Sequence, residues 1–375
     1  MSYLDNAATT PLSKEMVEYL SSMLNIYGNP SSTHSEGVKA RKLIESVREK
    51  TASFINAGSP ENIYFTSSGS ASNTLGIYGF ATCKKCDILY SPTVHKSILE
   101  TIRGLEKFHN ISNGELKIDC FGNIDINYLK YSLGTGCNTK LVVVDYANSE
   151  IGTIQNIKEI AEVVHLYDEY NDNKLLVDCT GSISTIPLNV DVLNVDMASF
   201  STHKIGALKG VGVFYKKEDI EIAPLIYGSQ ERGVFAGTEN LLGILSLGKA
   251  IDSIKYDKTS YNRDFVWSNI KHINGVSLVG SLLTENRLSN NLYVCIKGVS
   301  GYSITTMMDD VYKTQISTGS ACNSGILSPS PLLLKMGLNE DDANSCIRIS
   351  FSGNESLEEL SDFCKNLNIC IEMLR

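Results

Sequence analysis

The sequence predicts an α/β protein with a mostly parallel, helix-flanked sheet and a smaller C-terminal α+β domain. Three observations predict it. Short apolar runs alternate with helical stretches through about residue 255. One of those runs, Leu141-Val142-Val143-Val144-Asp145, is β-branched and apolar throughout, as in a strand covered on both faces. Finally, 375 residues exceed the ~100–200 typical of one domain, and a charged, polar stretch from Tyr256 to about Arg263 marks a boundary. The expected division is a large domain over 13–255 and a small one built from 1–12 with 256–375.

Composition excludes several classes. A formal net charge of −9 argues against a nucleic-acid binder, whose phosphate affinity needs clustered Lys and Arg. No apolar run reaches the ~18–20 residues that span a bilayer, so no membrane partner is expected. The start, Met1-Ser2-Tyr3-Leu4-Asp5, has no basic region followed by an apolar one, so no signal peptide is expected. Ten cysteines in such a chain suggest a reducing, cytoplasmic setting.

In chain order, Leu4 to Pro11 is too rich in small polar residues for a helix. Ser13 then N-caps a helix striped by Met16, Val17, Leu20, Met23 and Leu24. Asn29-Pro30-Ser31-Ser32 is a loop, and a second helix follows His34 and runs to about Phe54. The strand Asn62 to Phe65 feeds Thr66-Ser67-Ser68-Gly69-Ser70-Ala71-Ser72-Asn73 and a helix. A small-residue turn at a helix N-terminus suits a phosphate, because free N–H groups and the positive dipole end point outward together. Cys83-Lys84-Lys85-Cys86 has the spacing of half a zinc site but lacks a second pair, so no metal is expected.

Asp87 to Tyr90 is a strand, with His95 opening the next helix; a helix from about Ile157 follows Asn148-Ser149-Glu150-Ile151-Gly152. Lys174 to Asp178 is a strand ending in an acid, and Val195 to Ala198 reads as a short buried strand before Ser199-Phe200-Ser201-Thr202-His203-Lys204. Leu292 to Ile296 and Ile347 to Phe351 are later strands, and an amphipathic helix ends the chain. Open parallel sheets bind ligands beyond their strands' carboxyl ends, where Ser70, His95, Asp178 and Lys204 all fall. A lysine buried there has a depressed pKa and attacks aldehydes. Pyridoxal 5'-phosphate (PLP) needs such a lysine, an anion seat for its phosphate, an acid for its ring nitrogen and a group over its ring.

Together these motifs resemble the NifS/IscS cysteine desulfurases, PLP enzymes of the fold-type-I aminotransferase superfamily. The resemblance runs in order through Leu4-Asp5-Asn6-Ala7-Ala8-Thr9-Thr10-Pro11, Tyr27-Gly28-Asn29-Pro30-Ser31-Ser32, Glu150-Ile151-Gly152, Ser199 to Lys204, Gly228-Ser229-Gln230-Glu231-Arg232-Gly233, Gly237-Thr238, Gly319-Ser320-Ala321-Cys322 and Arg348. It implies a seven-stranded sheet, a homodimer, and conversion of L-cysteine to alanine with a persulfide on Cys322 passed to a sulfur-acceptor protein, a scaffold or a thiolation enzyme.

The resemblance also implies roles. Lys204 would hold the cofactor aldehyde and shuttle protons, Asp178 would pair with the ring nitrogen, and His95 would cover the ring and transfer protons. Gly69, Ser70, Ser201 and His203 would seat the phosphate, with Thr238 reaching in from the second subunit. Arg348 and Asn29 would bind the substrate, and Ser149 would lie beside the cofactor. Two departures stand out: Ser149 and Gly181 replace an Asn and a Gln that reach the cofactor's phenolic oxygen. A selenocysteine lyase, a cysteine sulfinate desulfinase and a divergent, weakly active binding partner are the alternative readings.

Overall fold

The structure, a computed structural model, describes residues 2–135, 138–167, 172–256, 259–282, 285–318 and 328–375. The chain opens on a two-residue strand, β1 (Ser2–Tyr3). Seven strands then build one sheet: β2 (Ile63–Thr66), β3 (Asp87–Tyr90), β4 (Asn113–Glu115), β5 (Lys140–Asp145), β6 (Lys174–Asp178), β7 (Met197–Ser201) and β8 (Gly212–Lys216). Their order is β2-β8-β7-β6-β5-β3-β4. Only β8 runs against its neighbours, and the run from β7 to β4 is parallel throughout. The expected α/β architecture is therefore present.

The two faces of β5 explain the pattern. Val142 and Val144 pack with Ile44, Val47 and Phe65 on one side. Leu141 and Val143 pack with Leu75, Phe80, Ile98 and Ile102 on the other. Both faces are covered by helices, so each residue of the strand is buried. Each such Leu, Val or Ile contributes about 1.5–3 kcal/mol by leaving water. Helix starts follow the local chemistry: Ser13 accepts from the Met16 N–H at 3.1 Å, and Ser68 from the Ala71 N–H at 3.1 Å. In the first helix only Met16 is buried, while Val17 and Leu24 of the predicted stripe are exposed.

Two expected boundaries shift. The strand before the lysine turn is Met197–Ser201 rather than Val195 to Ala198. Antiparallel pairing continues to Ser201 opposite Gly212, and the hydroxyl side chains of Ser199 and Ser201 hid this strand end from an apolar pattern. Likewise the helix begins at Gly69, leaving a shorter turn than residues 66–73.

A second, antiparallel sheet places β10 (Asn291–Ile296) between β9 (Val276–Leu278) and β12 (Cys346–Ser350). β11 (Thr314–Gln315) pairs with β1. The core under this sheet joins Leu292, Val294, Ile347 and Ile349 with Ile304, Leu360 and Phe363, and it includes Leu4 from the N-terminal segment.

Candidate active site

Parallel strands end at a common edge, and that edge collects the polar groups. Gly69 follows β2, His95 follows β3, Ser149 follows β5, Asp178 closes β6, and Lys204 sits in a 3₁₀ turn (Thr202–Ile205) directly after β7. Arg348 arrives from β12.

Lys204 is the chemical centre. Its Nζ donates to the carbonyls of Ala7 at 2.5 Å and Ala8 at 2.9 Å. Burial lowers its pKa to about 8, the Arg348 charge acts in the same direction, and Asp178 and Asp5 oppose it. An amine in that range has a minor but useful neutral fraction near physiological pH, and the neutral form is what attacks an aldehyde.

Asp178 is buried and held by two donors: Asn73 Nδ2 at 2.8 Å on Oδ2 and the Thr180 N–H at 2.9 Å on Oδ1. The Ser199 hydroxyl fixes Asn73 in turn by donating to its Oδ1. A fixed, buried carboxylate is a fitting partner for a protonated ring nitrogen.

The helix N-terminus expected to seat the phosphate lies against Ser201. A Cβ at residue 69 would sit 3.0 Å from Ser201 Cβ and 3.3 Å from Thr180 Oγ1, so the bare helix N-terminus meets the end of β7. Ser70 is exposed there. His203 Nδ1 lies 3.1 Å from Thr9 Oγ1. Burial drops its pKa to about 4, with Lys204 and Lys209 adding to the effect, so the ring is neutral. His95 caps its helix: the Ser97 N–H donates to Nδ1 at 3.1 Å, which leaves the proton of the neutral ring on Nε2. The ring itself is exposed.

Arg348 is buried, donating through Nη1 to the Ser149 carbonyl at 3.1 Å and through Nη2 to Asp5 Oδ1 at 2.7 Å. Its Nε is buried without a partner, a donor still to be satisfied. Gly181 has a steric cause. A Cβ at 181 would lie 2.2 Å from the Ala147 carbonyl oxygen, so only glycine lets residues 147–149 run this close.

Not every expected residue joins this group. Asn29 and Thr238 are exposed, and neither hydrogen-bonds to another candidate. Asn29 instead closes its own turn, its Oδ1 accepting from the Ser31 N–H at 2.9 Å. Cys322 lies outside the described residues. Asn73, Ser199, Asp5, Thr9 and the Ala7 and Ala8 carbonyls escaped sequence reasoning. The first two leave a faint signal, since polar residues at apolar sheet and helix positions need each other. Among the described residues no cluster of side chains is arranged to hold a metal ion.

A low-pKa lysine, a fixed acid and a bare helix N-terminus at one sheet edge define the site of a PLP-dependent enzyme of fold type I, and these residues fit that cofactor. The chain belongs to the class-V aminotransferase family, which it matches over residues 2–363. It is 38% identical, over 100% of its length and 95% of the relative's, to the cysteine desulfurase IscS of Dictyoglomus turgidum. A solved NifS-like protein superposes with a TM-score of 0.90 at 28% identity, covering 100% of both chains. A structure described as SspA in complex with cysteine gives 0.81 at 28% identity, covering 95% of this chain and 100% of the other.

Proposed function

We propose that this chain is an L-cysteine desulfurase. It takes sulfur from cysteine as a persulfide on Cys322, releases alanine and hands the sulfur to an acceptor protein, an iron–sulfur scaffold or a thiolation enzyme. The observation that carries the reading is Lys204, a half-buried amine whose pKa is lowered by burial and by Arg348 and raised by Asp178. Relatives named for cysteine desulfuration and a neighbour solved with cysteine support the substrate.

PLP supplies an electron sink for the substrate's α-carbon when bound. The chain's residues do the rest. Gly69, Ser70, Ser201 and neutral His203 would hold the phosphate, and Asp178 would favour the protonated ring nitrogen. Ser149 would lie beside the cofactor. Arg348 grips the substrate carboxylate, aided by Asn29, and Lys204 moves the α-proton. His95, with its proton on Nε2, is the second acid–base group. The Cys322 thiolate attacks the substrate sulfur, the carbon–sulfur bond breaks toward carbon, and one proton completes alanine.

The reading extends to assembly. Exposed Thr238 serves the phosphate seat of a second copy in a homodimer. Leu4, packed in the core of the second sheet, supports joining residues 1–12 with 256–375 in the small domain and leaving 13–255 as the large one. No helix among the described residues is long and apolar enough to cross a membrane. A cytoplasmic setting accords with that and with the absence of disulfides among the described cysteines.

The test is Cys322→Ala in purified holoenzyme. Cofactor absorbance should persist while alanine release from cysteine falls by orders of magnitude. Mass spectrometry of wild type should find the sulfur adduct on Cys322 and not on Cys83, Cys86 or Cys346. Full activity in the variant would favour a lyase acting on selenocysteine or cysteine sulfinate, which needs no protein thiol.

A further inference from the structure

Asp145 ends β5 beside Asp178 on β6, and the two are register partners on adjacent parallel strands. Register partners face the same side of a sheet, here the side packed by Leu75, Phe80 and Ile98. Their surroundings differ sharply. Asp178 has two hydrogen-bond donors, Asn73 and the Thr180 N–H. Asp145 is buried, accepts on Oδ1 from the Thr93 hydroxyl, and buries its Oδ2 without a close partner among the described residues.

The groups facing Asp145 are neutral except one. Thr93 is bonded in turn to Ser91 Oγ at 2.6 Å, beyond β3. On the turn after β5, Asn148 spends its Nδ2 on the Thr93 carbonyl at 2.7 Å. The charged neighbour is Asp178, and no lysine, arginine or histidine pairs with Asp145 among the described residues. A buried carboxyl with one close hydroxyl donor, an oxygen without a close partner among the described residues and a like charge alongside cannot hold its own charge cheaply.

We propose that Asp145 is the carboxyl of an Asp145–Asp178 pair that keeps its proton the longer as pH rises, and so acts as a positioning residue that leaves Asp178 as the anion facing the cofactor's ring nitrogen on the acid side of neutrality. The second half rests on the role given to Asp178 above. In agreement, burial pushes the Asp145 carboxyl up to about 6 and the Asp178 charge adds to that, against the Thr93 hydroxyl, its own backbone N–H and the Asn148 amide, which favour the anion. The native state therefore holds a proton that the unfolded chain has lost between pH about 4 and about 6. Relative to Asp145→Asn, wild-type apoprotein should become up to about tenfold less stable per pH unit across that window, as an unfolding constant.

The decisive experiment follows carboxyl-labelled Asp by NMR in the apoprotein from acid to neutral pH. One carboxyl should titrate near 6 and be missing from Asp145→Asn. In Asp178→Asn its midpoint should fall, a response that a purely structural Asp145 would not give. Isotope-edited infrared of wild type alone, following loss of the carboxylic-acid C=O band, reads the same event should Asp145→Asn not fold. Wild-type aspartates all titrating below about pH 5, or an unmoved midpoint in Asp178→Asn, overturns the pair. Failure of the Asp178 role shows separately, as Asp178→Asn binding PLP as tightly as wild type while the titration near 6 persists.

Discussion

Replacing Arg348 by Gln perturbs the one charge that acts on Lys204 in the same direction as burial. Lys204 is lowered from 10.5 to about 8, first by burial and second by Arg348. At pH 7 a pKa of about 8 leaves roughly one amine in ten neutral, against roughly one in 3,000 at the ordinary value, about a 300-fold gain in the attacking species. The rate at which apoprotein captures limiting PLP on Lys204, trapped with borohydride and counted by mass spectrometry, should rise about tenfold per pH unit and level off near 8. Arg348→Gln should move that midpoint upward, yet keep it well below 10.5, because burial is the larger cause. The sign carries into stability. The unfolded chain holds a proton that native Lys204 has lost between about 8 and 10.5, so apoprotein gains stability as pH rises through that window, up to about 3 kcal/mol in all. Lys204→Met should erase this slope as well as cofactor capture. A capture midpoint near 10 in wild type, or one indifferent to Arg348→Gln, would refute the reasoning.

Two further outcomes follow from charges buried in pairs. Arg348→Lys should raise KM for cysteine about 10- to 100-fold while the PLP content of the purified protein stays normal, since an ammonium replaces a two-pronged grip with a point charge; normal KM with lost cofactor would place Arg348 in cofactor binding or the fold instead. Glu231→Gln should cost about 3–5 kcal/mol in urea unfolding. Glu231 receives Arg48 Nη1 at 2.8 Å and Nη2 at 2.9 Å as well as the Phe65 N–H at 2.8 Å, deep in the protein. A loss below about 1 kcal/mol would mean that Glu45, which also contacts Arg48, is counter-ion enough.

The sequence made the sheet edge readable because burial and chemistry disagree there. A strand as apolar as β5 has one physical explanation, cover on both faces, and a lysine after such a strand has few. Its supporting groups were unreadable because they depend on which strands become neighbours. Asn73 meets Asp178 across 105 residues of chain, and Asp145 meets it only through the pairing of β5 with β6. Gly181 shows what a letter alone leaves out. As a letter it reads as a missing donor to the cofactor, whereas in space it is the clearance for the Ala147 carbonyl, and a Gln there would need the backbone to move. Asn29 and Thr238 share a different obscurity, since their proposed work depends on the state of a loop or on a second copy.

The opening segment ties these pieces together. Leu4 is anchored in the second sheet's core, and Asp5 pairs with Arg348 on β12. Two residues later, the Ala7 and Ala8 carbonyls take the Lys204 amine, and Thr9 meets His203. Thr10 then closes on the same turn, its hydroxyl donating to the Lys204 carbonyl at 2.8 Å. Asp5 thus offsets part of the Arg348 charge that depresses Lys204, within six residues of the groups that hold the amine. A substrate carboxylate at Arg348, the role proposed above, would compete with Asp5 for the same guanidinium. Displacing Asp5 need not disturb Lys204 electrostatically, because one carboxylate replaces another, whereas removing Asp5 by mutation leaves Arg348 uncompensated until substrate binds. The segment therefore touches both groups, holding Arg348 through Asp5 and the Lys204 amine through the Ala7 and Ala8 carbonyls.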